Sequence, residues 1–251
     1  MIKQINKKNI ERYSRQIILK NVGPMGQKKI LNSKVLIIGL GGLGCPVADH
    51  LCRAGVGTIG IVDFDKVNLS NLHRQSFYSQ KDMKKFKVDV IKKKINLINP
   101  KIKVKKFKKA ITENNANSLI KNFDIIIDGS DNFKTKFLLN KISLKYNKTL
   151  IIGAISKFDG HVFVFDFKNK KEPCLKCFYQ SEPSDEILNC ETEGIIGTVA
   201  GVIGNIQANE VIKKILNLKT NNRGKIFIFN LENLSLRKVD FFKRKNCLCS
   251  K

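Results

Sequence analysis

Hydrophobic positions in the first 150 residues switch between two periods. Short runs rich in Val and Ile alternate with longer stretches in which apolar residues return every three or four positions. The runs are Val35–Ile38, Thr58–Val62, Lys103–Phe107, Phe123–Asp128 and Thr149–Gly153. They read as strands, the continuously apolar ones as buried parallel strands. The stretches between them read as helices. One follows Gly44, with Val47, Leu51 and Ala54 on a single face; the others are Lys84–Leu97, Asn114–Lys121 and Phe133–Tyr146. Gly55 and Gly57 stop the first, and Asn99-Pro100 stops the second. Two amphipathic helices, around Asn9–Leu19 and Met25–Asn32, precede them all. The alternation predicts an α/β fold with a doubly wound, Rossmann-like, mostly parallel sheet.

After Gly153 the pattern changes. Gly160–Phe167, Lys225–Asn230 and Leu234–Asp240 alternate residue by residue, as half-exposed antiparallel strands do. They are expected to extend the sheet once the crossovers stop. Between them lie a long irregular segment, Lys168–Gly194, and a helix at about Gly197–Leu216. Long loops inside compact domains tend to be functional. The chain therefore reads as a single domain over 1–251, with N-terminal helices (1–33), a nucleotide-binding half (34–155) and a second half (156–251).

The formal charge is +26, with only seven arginines among the 47 basic residues. Scattered lysine of this kind describes a solvated coat, or a surface mildly attractive to an acidic partner, and not a nucleic-acid site. No stretch of about 18 apolar residues is present, so no membrane span is expected. The N-terminus has no apolar signal-peptide core, which leaves the cytoplasm as the expected location. Seven cysteines, an odd number, argue against a disulfide framework there. Cys45 and Cys52 fall in the first βαβ helix and read as core. The pairs Cys174/Cys177 and Cys247/Cys249 have the look of metal ligands, four thiolates suiting a tetrahedral zinc.

The first strand runs into "GLGGLG", a G-x-G-x-x-G pattern at Gly39, Gly41 and Gly44, with Asp63 about 20 residues on. Backbone N–H groups at a helix N-terminus and the positive end of its dipole favour a phosphate at Gly41–Gly44. A carboxylate closing the second strand accepts ribose hydroxyls. Neither feature separates NAD from ATP. The residues after the second strand, "DFDKVNLSNLHRQ", do more: Asp63, Asp65, Ser70, Asn71, Arg74 and Gln75 crowd one loop, and Arg74 offers a planar fork to phosphate. At the end of the fourth strand, "DGSDN" places Asp128, Asp131 and Asn132 at the same crevice. A carboxylate beside a polyphosphate repels it unless a divalent cation intervenes, so Asp131 is a candidate magnesium ligand. As the first residue of a helix, it suits an N-cap equally well.

These landmarks, from "RYSRQI" at Arg12–Ile17 through "GLGGLG", "DFDKVNLSNLHRQ", "GSDN" and "CLKC" to "NCETEGIIG", resemble the ATP-dependent adenylyltransferases related to ubiquitin-activating enzymes. The nearest kinds are the bacterial enzymes that activate the sulfur carriers of molybdopterin and thiamine synthesis. The resemblance runs nearly end to end, and it assigns roles. Gly42 and its neighbours lie against ATP, and Asp63 binds the ribose. The segment Ser70, Asn71, Leu72, His73 and Arg74 surrounds the nucleotide. Lys87 contacts phosphate, although Lys84 and Lys85 are close in sequence. Asp131, next to Asn132, holds magnesium. Arg15 reaches the ATP of the other subunit, which implies a homodimer.

In the resembling enzymes the C-terminal glycine carboxylate of a small ubiquitin-like carrier ending in Gly-Gly attacks the α-phosphate, and pyrophosphate leaves. The second half would then bind the carrier. Cys174, Cys177, Cys247 and Cys249 would hold zinc, although "CLC" is one residue shorter than the usual second pair. Cys190 matches a cysteine that can carry a covalent carrier conjugate. With no sulfurtransferase domain after the last cysteines, sulfur would come from another protein, a sulfurtransferase or cysteine desulfurase. A tRNA-modifying adenylating enzyme and an NAD-dependent oxidoreductase are the alternatives. The pathway, molybdopterin or thiamine, is not separated by these residues.

Overall fold

The computed structural model describes residues 4–183, 194–219, 222 and 224–250. One eight-stranded sheet organises it, in the order β3-β2-β1-β4-β5-β6-β7-β8. Strands β1 (Lys34–Ile38), β2 (Thr58–Val62), β3 (Lys103–Phe107), β4 (Ile125–Asp128) and β5 (Thr149–Ser156) pair in parallel. Strands β6 (Asp159–Asp166), β7 (Lys225–Asn230) and β8 (Ser235–Asp240) continue it antiparallel. The switch in hydrophobic period after Gly153 is thus the switch in strand direction.

Helices α1 (Lys7–Ile17) and α2 (Gly23–Asn32) precede the sheet. Helices α3 (Gly44–Ala54) and α4 (Lys87–Ile98) cover one face, together with the long α8 (Gly197–Leu216). Helices α5 (Glu113–Ile120) and α6 (Phe133–Lys145), with the four-residue α7 (Leu175–Phe178), cover the other. The strand period of two divides the core: Val35 and Ile37 of β1 pack under α3, whereas Leu36 and Ile38 face α6. Strand β3 is a sheet edge whose lysines face solvent, a charge pattern that discourages further strand pairing.

Element limits shift by a residue or more in several places, and three differences bear on the site. Helix α4 begins at Lys87, not Lys84. Lys84 takes φ +63°, its N–H donates to Val67 O (2.9 Å), and Phe86 pairs with Lys66 in a short bridge. Strand β5 runs on to Ser156 because its hairpin partner β6 carries the pairing to Ser156–Asp159. The irregular segment after Lys168 contains α7, which brings Cys177 inward. No helix among the described residues is long and apolar enough to cross a membrane.

Candidate nucleotide site and cysteine centre

A cleft of about 410 Å³ opens at the carboxyl ends of β1, β2 and β4, where open α/β sheets place ligands. Its floor is the glycine turn between β1 and α3. Gly39 has φ +82°, and a Cβ there would lie 2.7 Å from Gly129 O, so the turn abuts the loop after β4. Gly41 and Gly42 line the cleft. Gly44 lies behind it and opens α3; a Cβ there would sit 2.0 Å from Gly39 O. Within α3, Cys45 N donates to Gly41 O (3.1 Å) and residue 46 is a proline; the cleft is lined instead by Gly41, Gly42 and Leu43, whose amides have no recorded partner among the described residues.

Asp63, at the end of β2, lines the cleft and is fixed by two amides: Leu40 N donates to Oδ2 and Asp65 N to Oδ1, both at 2.7 Å. Burial raises its pKa above the usual 3.8, against the nearby Lys87 ammonium and these amides. After β2 the chain makes a short 3₁₀ turn, Leu69–Asn71. The Asn71 side chain accepts from Asn68 N at 3.1 Å. Ser70, Asn71 and Arg74 line the cleft. Arg74 Nη1 donates to Ser70 O (2.8 Å) and lies 2.7 Å from His73 Nε2. Leu72 and His73 do not line the cleft: Leu72 packs against the core and His73 is exposed.

Lys87, the first residue of α4, is 5% exposed, and its Nζ lies 2.8 Å from Asp65 Oδ2 at the cleft wall. Neither Lys84 nor Lys85 is among the lining residues, and Lys85 pairs with Asp82. At β4, Asp131 and Asn132 both line the cleft. The helix cap is Asn132, whose Oδ1 accepts from Thr135 N at 2.8 Å; Asp131 is exposed one residue earlier. The capping alternative for Asp131 is therefore corrected, and its carboxylate is left to the cleft.

The cleft fits a nucleotide with a divalent cation on three observations. Arg74 and Lys87 line the same cleft as one exposed carboxylate, Asp131. Gln75 Oε1 is buried in the wall without a partner among the described residues. Gly41 and Gly42 leave the floor free of side chains. Two polar residues escaped the sequence reading. Lys136, on α6, lines the cleft yet is 2% exposed. Gln207, on α8, is fully buried, and its Nε2 donates to Asp128 O at 2.8 Å. The signal for Lys136 was its place on the stripe Phe133, Lys136, Phe137, Asn140, where a polar residue interrupts an inward face.

Cys174, Cys177, Cys247 and Cys249 converge, all buried, with their Sγ atoms within 4.8 Å of one another. The Cys174–Cys247 and Cys177–Cys249 sulfurs are 3.5 and 3.4 Å apart. Zinc–thiolate bonds of about 2.3 Å in a tetrahedron place sulfurs about 3.8 Å apart, so the donor set fits that ion. The tail folds into a 3₁₀ turn, Leu248–Ser250, and the shortened "CLC" pair still presents both sulfurs. Cys45 and Cys52 are buried in α3, and burial pushes each thiol up to about 12. Arg15 is exposed on α1 and does not line its own chain's cleft. Cys190 lies outside the described residues. A larger cavity, about 570 Å³, sits against Cys249 and the C-terminal half of α6; it holds none of the nucleotide-site residues.

A family model described as the ThiF family matches residues 13–251. The chain is 39% identical over 249 residues to adenylyltransferase and sulfurtransferase MOCS3 of Drosophila virilis, covering 98% of this chain and 55% of that one. It is 34% identical over 245 residues to the sulfur carrier protein adenylyltransferase of Thermus thermophilus, covering 96% and 90%. The chain thus spans about half the length of the fly relative and most of the bacterial one. In fold it matches the crystal structure of E. coli MccB with MccA-N7isoASN at a TM-score of 0.84 and 23% identity, over 98% of this chain and 76% of that one.

Proposed function

The chain belongs to the ThiF family, and on that premise we propose that it adenylylates the C-terminal glycine of a small ubiquitin-like sulfur carrier. The observation that carries this reading is the convergence of Asp63, Asn71, Arg74, Lys87 and Asp131 on one cleft above a glycine turn. A hydride-transfer site has no need for that set of phosphate ligands. The carrier's carboxylate is already a nucleophile, so no general base is required. It attacks the α-phosphorus of ATP, the bond to the β-phosphate oxygen breaks, and an acyl-adenylate and pyrophosphate result. The chain's task is to hold the two in line and to offset charge.

Asp63 receives the ribose hydroxyls, the amides of the glycine turn and Asn71 face the phosphates, and Arg74 and Lys87 supply the fixed positive charge. Magnesium, held at Asp131, would neutralise charge as it moves onto pyrophosphate. Arg15 acts from the partner subunit of a homodimer, which its distance from its own cleft supports. The β5–β8 half receives the carrier, and zinc at the four cysteines ties the chain's tail to the segment between β6 and α8. Cys190 serves a later covalent step, since acyl-adenylate formation consumes no thiol. Sulfur comes from a sulfurtransferase or cysteine desulfurase, and the reaction takes place in the cytoplasm.

Isotope exchange between pyrophosphate and ATP tests the reading, with candidate Gly-Gly carrier proteins added one at a time. Exchange that depends on a carrier, with the carrier's mass increased by one adenylate, is the expected result. NAD reduction without any ATP requirement, or exchange that depends on tRNA in place of a carrier, would overturn it.

A further inference from the structure

The end of β4 is fastened from both faces of the sheet. From the α6 side, Lys136 Nζ donates to Asp128 Oδ2 (3.0 Å), Ser130 O (2.7 Å) and Gly153 O (2.8 Å). An ammonium has three protons, and all three are used. Asp128 is completely buried, and its other oxygen, Oδ1, accepts from Ser130 N (2.9 Å) and Ser130 Oγ (2.5 Å). From the α8 side, Gln207 donates to Asp128 O. Gly153 is where the two fastenings meet: a Cβ there would lie 2.6 Å from the Gln207 side chain.

Burying an ammonium and a carboxylate is costly unless every partner is in place. Here three of the partner groups, the Ser130 carbonyl, amide and hydroxyl, belong to the short loop 129–132, which carries Asp131 and Asn132 into the cleft. That loop opens with Gly129 and Ser130 and has no regular structure of its own until the cap of α6. Something must hold it, because a displacement of about 1 Å in a reacting group costs on the order of 100-fold in rate. Lys136 lines the same cleft, yet its protons are turned to Asp128 Oδ2, Ser130 O and Gly153 O.

We infer that Lys136 is a positioning residue: paired with Asp128, it fixes loop 129–132 so that Asp131 and Asn132 meet the nucleotide, and it makes no phosphate contact of its own. The inference rests on the adenylylation reading of the cleft. Its test uses the full chain and three variants, Lys136→Met, Lys136→Arg and the double Asp128→Asn, Lys136→Met. Two quantities are measured: hydrogen exchange of the Ser130 amide, which donates to Asp128 Oδ1, without nucleotide, and kcat and KM for magnesium–ATP in carrier-dependent pyrophosphate exchange.

Lys136→Met is expected to lose protection at the Ser130 amide and about 100-fold in kcat. Lys136→Arg should recover the protection, since a guanidinium reaches the same acceptors. The double variant leaves no unpaired buried charge. It should fold and still show the loose loop, which guards against a single variant that fails to fold. Lost turnover with amide protection unchanged would show that Lys136 touches substrate, and the positioning role would fall. Lost protection with kcat unchanged would also sink it, because the order of the loop would then be irrelevant to the chemistry. If the wild-type chain supports no carrier-dependent exchange at all, the adenylylation reading fails, while the amide comparison still decides whether Lys136 holds the loop.

Discussion

Replacing Asp131 with alanine should separate activity from stability. Asp131 is exposed, and among the described residues its one recorded hydrogen bond is long, 3.3 Å from Asn132 Nδ2. It caps nothing, because Asn132 supplies the bond to Thr135 N. An exposed substitution of this kind changes stability by no more than about 0.5 kcal/mol. For a chain of this length that is about 1–2 °C in Tm. The effect on chemistry is of another size. Removing one group that stabilises transition-state charge costs roughly 100- to 1,000-fold in rate, about 2.7–4 kcal/mol. The proper comparison is Asn132→Ala, which removes a real cap and should cost about 1 kcal/mol of stability. Thermal melts of the two variants, with carrier-dependent pyrophosphate exchange by each, complete the experiment. Exchange by Asp131→Ala within a few-fold of wild type would refute the metal assignment. A drop in Tm as large as that of Asn132→Ala would show that the carboxylate has a structural partner.

Freshly purified protein should contain one zinc per chain by elemental analysis, and the double change Cys247→Ser, Cys249→Ser should abolish it; an unaltered metal content would rule out these ligands. If Arg15 acts across a homodimer, mixing the inactive variants Arg15→Ala and Asp131→Ala should restore roughly a quarter of wild-type exchange, because random pairing gives half heterodimers with one intact site in two. No recovery after subunit exchange, checked by tagged co-purification, would place Arg15 in its own chain's site. Burial raises the pKa of Asp63, so the native state holds that proton more tightly than the unfolded chain. Ionising it therefore costs stability as pH rises from the usual carboxylate range through the raised value. Nucleotide affinity has the opposite sign: titration calorimetry should show ATP binding weaken on acidification as Asp63 protonates, and Asp63→Asn should lack that limb.

Much of this arrangement was legible in the sequence, for reasons that differ by residue. The glycine turn was legible because its demand is local: the sharp turn after β1 requires glycine whatever lies around it. The change from parallel to antiparallel strands could be anticipated because continuous apolar runs, where both faces are covered, give way to a period of two after Gly153. Lys87 could not be told from Lys84 and Lys85, since the choice depends on where α4 begins, and a left-handed residue at Lys84 sets that. The cap was misplaced by one residue for a similar reason: Asp131 and Asn132 are both good caps, and the angle at which the chain leaves β4 decides between them. Lys136 was hidden most deeply. A lysine's ordinary place is the surface, and only the acceptors brought by β4, β5 and the loop between β4 and α6 make an interior one tolerable. The cysteine pairs showed in the sequence as pairs, but their approach to one another depends on α7 and the tail turn.

The carboxylates of the cleft supply the strongest argument for where a cation belongs. Three aspartates line its walls, Asp63, Asp65 and Asp131, and Asp128 lies just beneath. Four negative charges would repel a polyphosphate if they were left alone. Asp65 is offset by Lys87 and Asp128 by Lys136. Asp63 is held by two backbone amides and sits at the end of β2, where a ribose and not a phosphate is expected. Asp131 alone of the four has neither an ion pair nor a backbone donor among the described residues, and it is the exposed one in the cleft that Gly41 and Gly42 also line. On the proposed adenylylation reading, a site that neutralises every other carboxylate with its own side chains or amides, and leaves this one open, would suit a cation that arrives with the nucleotide. The same reasoning predicts that Asp131→Asn, which keeps the shape and removes the charge, will bind ATP without magnesium more tightly than wild type while losing the dependence of binding on magnesium. Unchanged magnesium dependence in that variant, measured by calorimetry, would move the metal to another residue of the cleft.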